Sequence, residues 1–151
     1  MGSRFFIYLP KVTKAEAAGR VSEEKNPELK ILAIDDNEKV LQLLERRFGK
    51  LGIYIKTTDT ADEARAALEA EHFDVILIDQ SLSRIEGQDR GILFAIYIGQ
   101  SYPGLIKLIM TDTVDKEIIE ARQHGFIDDY VEKPVSDGII LEAVRRINSQ
   151  P

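Results

Sequence analysis

The chain has 151 residues, 44% of them hydrophobic, which is enough for one domain with a buried core and too few for two. Its 26 acidic against 20 basic residues give a net charge of −6 with no dense basic run, which argues against general binding of nucleic acid or anionic membrane. Cysteine is absent, excluding disulfides and thiolate metal sites. The apolar runs are too short to cross a bilayer and the N-terminus lacks a signal-peptide layout, so a cytoplasmic protein without membrane contact is expected.

Before Lys30, Phe5-Phe6-Ile7-Tyr8-Leu9-Pro10 is a short β-like run, and Lys14 to Leu29, rich in Ala, Glu and Lys, reads as a linker with some helical tendency. From Lys30 onward apolar runs alternate with amphipathic ones, as strands do with crossover helices. Ile31 to Ile34 is apolar at successive positions, so both strand faces are expected to be buried, and Asp35-Asp36 ends it. Val40, Leu41, Leu44 and Phe48 have helical spacing up to Gly49 or Gly52, and Ile53 to Thr57 is a second strand. Thr60 and Glu63 form a capping-box pattern opening a helix to about Glu71. Val75 to Ile78 is a third strand ending at Asp79, followed by a polar loop over Gln80 to Arg90 and an apolar helix from Gly91 to Gln100. Ile106 to Met110 is the fourth strand, ending at Thr111. Val114 to His124 is a short helix closed by Gly125 in a left-handed cap. Tyr130 to Glu132 is a fifth strand before Lys133-Pro134, and Ser136 caps a last helix with Ile139, Ile140, Ala143, Val144 and Ile147 on one face.

Strict alternation of five strands and five helices predicts a doubly wound parallel α/β sheet, in which functional groups gather at the carboxyl ends of the strands. Those ends carry Asp35, Asp36, Asp79, Thr111 and Lys133. Three converging carboxylates repel one another, so a divalent cation is the expected partner. Magnesium, which keeps waters and phosphate oxygens in its shell, suits three aspartates better than calcium does. With that charge balanced, a carboxylate oxygen of Asp79 is placed to attack phosphorus, Lys133 to neutralise the transferred oxygens, and Thr111 to donate a hydroxyl proton. Each residue alone is as well explained by a cap, a turn or a solvated loop. Their joint order after strands one, three, four and five carries the functional reading.

Over Lys30 to about Asn148 the sequence resembles the receiver domain of response regulators and hybrid sensor kinases. The resemblance rests on Ile31 to Asn37, Val75 to Asp79, Leu108 to Thr111 and Tyr130 to Pro134. It implies a flavodoxin-like three-layer fold with strand order 2-1-3-4-5. It also implies Asp79 as phosphoacceptor, and Mg2+, with Mn2+ as the alternative, bound directly by Asp36, Asp79 and the Ser81 backbone carbonyl and by Asp35 mainly through water. Lys133 would precede a cis proline, and Thr111 and Tyr130 would form a switch acting on the surface of the fourth helix, fifth strand and fifth helix. Two features depart from the pattern. The loop after Asp79 lacks the usual proline and runs about four residues long if Gly91 is the family's loop glycine. Asp112 stands where a small residue is usual, so that Asp112 and Thr113 would modulate the reaction. Slower phosphorylation or an altered switch follows as an expectation, and Asp112→Ala should raise the phosphorylation rate.

Gly2 to Pro10 resembles the last strand of a histidine-kinase ATP-binding domain. Residues 1–12 would then be a kinase remnant, 13–29 a linker and 30–149 the receiver, with a second copy of the chain as one partner for the leader and so a homodimer. The expected donor is a histidine kinase or a histidine phosphotransfer protein. No output domain follows Asn148 in this sequence, so the expected output is a protein contact, phosphorelay or feedback on an attached kinase. Two other functions compete. A haloacid-dehalogenase-type phosphatase needs a nucleophile after the first strand and a second acid two residues on, where this chain has Asn37. A receiver-like interaction module that has lost phosphorylation is supported only by Asp112 and the long loop.

Overall fold

Ile31, Leu32, Ala33 and Ile34 are fully inaccessible to solvent, as are Val75, Ile76, Leu77 and Ile78, so two consecutive apolar runs form the centre of a sheet covered on both faces. The computed structural model describes residues 29–82 and 91–149. Its elements are β1 (Lys30–Ile34), α1 (Glu38–Lys50), β2 (Tyr54–Thr58), α2 (Ala61–Ala70), β3 (Val75–Asp79), α3 (Gly91–Ser101), β4 (Ile106–Thr111), α4 (Lys116–Gln123), β5 (Asp129–Glu132) and α5 (Asp137–Asn148). All strand pairs are parallel, in the order β2-β1-β3-β4-β5. The winding therefore reverses between β1 and β3, which opens a crevice beyond their carboxyl ends.

The sheet divides the core in two. On one face Leu41, Leu44 and Phe48 of α1 and Ile140, Ala143 and Val144 of α5 pack on Ile31, Ala33, Leu77 and Met110. On the other, apolar residues of α2, α3 and α4, among them Leu68, Phe94, Ile98 and Ile118, cover Leu32, Ile76, Ile78 and Ile109. Burial of a side chain the size of Leu44 or Phe48 contributes about 1.5–3 kcal/mol, which is why these stripes set the helix orientations.

Four helices are started by the side chain just before them: Asn37 accepts from Lys39 N, Thr60 from Glu63 N, Asp115 from Ile118 N and Ser136 from Ile139 N. The fourth helix thus begins at Lys116, two residues later than its apolar pattern predicts, because Asp115 is held extended as its cap. In the expected capping box, Glu63 reaches the N–H of Asp59 at 3.4 Å, one residue before the cap itself. Ile139 is 49% exposed and does not join the inner face expected of it. Ile140, Ala143 and Val144 define that stripe, and Ile139 falls at its edge. Gly125 adopts φ 79°, the left-handed conformation its place after α4 predicts. Among the described residues no helix is long and apolar enough to cross a membrane.

Candidate functional site

Register alone brings the strand-end residues together. Ile34 of β1 lies opposite Ile78 of β3, so Asp35 and Asp79 leave the sheet side by side. Asp79 faces Met110, which sets Thr111 one step beyond, and Thr111 faces Glu132. The Lys133 N–H donates to the Thr111 carbonyl at 2.7 Å, fixing the start of the segment that carries the lysine.

Lys133 Nζ lies 3.0 Å from Asp35 Oδ2 and 3.0 Å from Asp79 Oδ1, and the Lys133-Pro134 bond is cis, as expected. One carboxylate oxygen from each of Asp35, Asp36 and Asp79 lies within 4.8 Å of the others. Asp35 and Asp79 are buried and Asp36 is half-buried. Burial pushes the Asp35 carboxyl above its ordinary range, and the Asp79 charge adds to that. The Asn37 N–H, 2.8 Å from Oδ1, and Lys133 work against it. For Lys133, burial disfavours the ammonium, but hydrogen bonds to Asp35 and Asp79 outweigh it and its pKa is raised. The lysine is therefore a fixed cation.

Among the described residues, the buried carboxylates of Asp35 and Asp79 share the Lys133 ammonium, and Asp36 lies beside them. That clustering of three carboxylates, with hard oxygen donors and a half-open side at Asp36, fits magnesium. Gly91, the first residue of α3, closes the floor: its N–H donates to the Gln80 carbonyl at 2.8 Å, and a Cβ there would lie 2.3 Å from the Asp79 carbonyl oxygen. No side chain fits that approach, which accounts for a glycine at the end of the long loop.

Thr111 is buried at the rim of the pocket. Its hydroxyl approaches the Gln80 side-chain carbonyl and the Thr113 carbonyl, the latter at 2.7 Å. Tyr130 is half-buried against the α2-α3-α4 core, with the Arg122 guanidinium 5.8 Å from its ring centre. Asp112 and Thr113 are exposed beside Thr111, and Ser81 is exposed in the turn after β3. The loop over 83–90 and the leader over 1–28, including the expected kinase strand and most of the linker, lie outside the described residues. Sequence reasoning passed over Gln80 and Asp115, which are hydrogen-bonded at 3.2 Å across 35 residues of chain. No local signal in the sequence pairs them, and the apolar pattern placed Asp115 inside a helix, where the structure holds it extended as the cap of α4.

The response regulator receiver domain family matches residues 31–145. A probable transcriptional regulator, ycf27, of Guillardia theta is 26% identical over 118 residues, covering 78% of this chain and 44% of that protein. The DNA-binding transcriptional regulator NtrC of Salmonella typhimurium is 32% identical over 105 residues, 69% of this chain and 21% of its own. The chain thus spans less than half the length of these relatives. In fold it is similar to a CheY-like response regulator receiver domain protein from Methanospirillum hungatei, with a TM-score of 0.70 at 24% identity over 81% of this chain and 95% of the other. With the matched span running from the first buried strand into the last helix, the chain belongs to the response regulator receiver domain family.

Proposed function

We propose that Asp79 is the phosphoacceptor of this receiver, taking its phosphoryl group from a phosphohistidine on a histidine kinase or phosphotransfer protein. The observation that carries this reading is Lys133 Nζ at 3.0 Å from both Asp35 and Asp79, beside three clustered carboxylates. An Asp79 oxygen forms the new O–P bond as the N–P bond of the phosphohistidine breaks, and that bond's electron pair leaves with the imidazole. Lys133 balances charge on the transferred oxygens, and the Thr111 hydroxyl donates a hydrogen bond to one of them. Magnesium held by Asp35, Asp36, Asp79 and the Ser81 carbonyl would neutralise the remaining charge, and manganese would serve in the same way.

Thr111 and Tyr130 then relay the change to α4, β5 and α5, where Asp112 and Thr113 tune its rate. The leader over Gly2 to Pro10 supports attachment of this receiver to a histidine kinase, in a cytoplasmic setting. The acidic charge supports protein partners over nucleic acid. The dehalogenase-type alternative is disfavoured by Asn37, which caps α1 where that chemistry needs an acid.

Incubation with acetyl phosphate and magnesium should give one alkali-labile phosphoryl adduct, absent from Asp79→Asn. Turnover of a phosphate ester would point to the hydrolase. Failure to form an adduct with any donor would point to an interaction module.

A further inference from the structure

Gln80, immediately after the proposed phosphoacceptor, bridges two parts of the molecule. Its Nε2 is 3.2 Å from Asp115 Oδ2, and its Oε1 accepts from the Thr111 hydroxyl. A carboxylate only accepts, so the Gln80 nitrogen must face Asp115 and its oxygen must face Thr111. The single Thr111 hydroxyl proton is therefore held between two acceptors, Gln80 Oε1 and the Thr113 carbonyl. The other carboxylate oxygen of Asp115 caps α4 through Ile118 N at 3.0 Å.

A phosphoryl oxygen on Asp79 also only accepts. Thr111 can serve it only by withdrawing its proton from Gln80 and Thr113, so Gln80 competes with the phosphoryl group for that proton. We propose that Gln80 is a positioning residue that latches Thr111 in the unphosphorylated arrangement and ties its release to the first turn of α4. The inference rests on the reading of Asp79 as phosphoacceptor. It differs from that reading in making the residue after the acceptor the link between the hydroxyl and the fourth helix.

Two variants test it. Gln80→Ala removes the latch. Asp115→Asn keeps the α4 cap but presents an amide to Gln80, so the Gln80 amide turns over and donates to Thr111, freeing the hydroxyl proton. With acetyl phosphate and magnesium, each variant should phosphorylate Asp79 about fivefold faster than the wild type, the weight of one hydrogen bond. The double variant should be no faster than either single one. A residue with a merely structural role would leave the rate unchanged or lower it, and either result, or increases that multiply in the double variant, overturns the latch. Amide exchange at Ile118 in the unphosphorylated protein provides an arm independent of Asp79: faster exchange in Gln80→Ala supports the tie to α4, and unchanged exchange overturns it. A wild type that takes no phosphoryl group would sink the phosphoacceptor reading, and the exchange arm would still decide the tie.

Discussion

Two buried acidic places in this molecule are treated in opposite ways. Asp129, at the start of β5, has Oδ2 at 2.6 Å from Arg146, Oδ1 at 3.7 Å from Arg122, and the Tyr130 N–H at 2.8 Å. One carboxylate there meets two guanidiniums and a backbone donor. At the other place, Asp35 and Asp79 share the Lys133 ammonium, with Asp36 clustered beside them. The first arrangement is compensated and ties β5 to α4 and α5. In the second, two buried carboxylates share one lysine, and burial together with the Asp79 charge holds the Asp35 carboxyl above its ordinary range. Burial alone therefore does not mark a functional acid; crowding of several acids around one cation does.

The sharpest way to break the comparison is to neutralise each site in turn. Asp79→Asn should abolish phosphoryl uptake, whereas Asp129→Asn should retain it, as read by intact mass after exposure to acetyl phosphate; equal loss in both would erase the distinction. Next in size, magnesium at about a hundred times its dissociation constant should stabilise the wild type against urea by about 2.7 kcal/mol. Asp35→Asn should gain far less, and an equal gain would place the metal elsewhere.

A smaller effect is expected without metal. Asp129→Asn should cost about 1–2 kcal/mol, toward the low end for a buried pair because Arg122 and Arg146 are each about half exposed. Asp35→Asn should cost less than that or stabilise the protein, since it removes charge from a crowded pocket. Chelator-treated urea denaturation compares them directly, and an Asp35→Asn loss as large as that of Asp129→Asn would contradict the account.

The smallest effect is in pH. A raised Asp35 pKa means that the metal-free folded state holds this proton more tightly than the unfolded chain does. The stability it contributes is full below the ordinary value of 3.8 and is lost as pH rises through the folded pKa. Lys133, also raised, contributes stability below its ordinary 10.5 that is lost as pH rises through its folded pKa. The stability difference between wild type and Asp35→Asn, measured in chelator, should therefore shift in favour of the wild type on acidification. A shift in the opposite direction would mean that Lys133 overcompensates Asp35.

Much of the site was legible in the sequence because parallel register does the assembling. Once Ile31 to Ile34 and Val75 to Ile78 are both continuous apolar runs, the residues that end them must emerge together, and Asp35 and Asp79 are those residues. Alternation and handedness predict the doubly wound sheet, and the resemblance to receiver domains supplies its strand order. The start of α4 was misread because Val114 continues the apolar pattern while Asp115 interrupts it as a cap, a choice decided by a hydrogen bond to Ile118 and not by hydrophobicity. The exposure of Ile139 was misread for a related reason: adjacent isoleucines cannot both centre on one narrow stripe. The bond from Gln80 to Asp115 had no local signal, since it joins two loop ends that only the completed sheet brings near each other.

The most direct test of the acidic cluster is the magnesium dependence of phosphorylation from acetyl phosphate, with the modified residue located by peptide mass analysis. The account predicts an adduct on Asp79 whose formation rises with magnesium and disappears in chelator. An adduct that forms equally well in chelator, or on another residue, would contradict it.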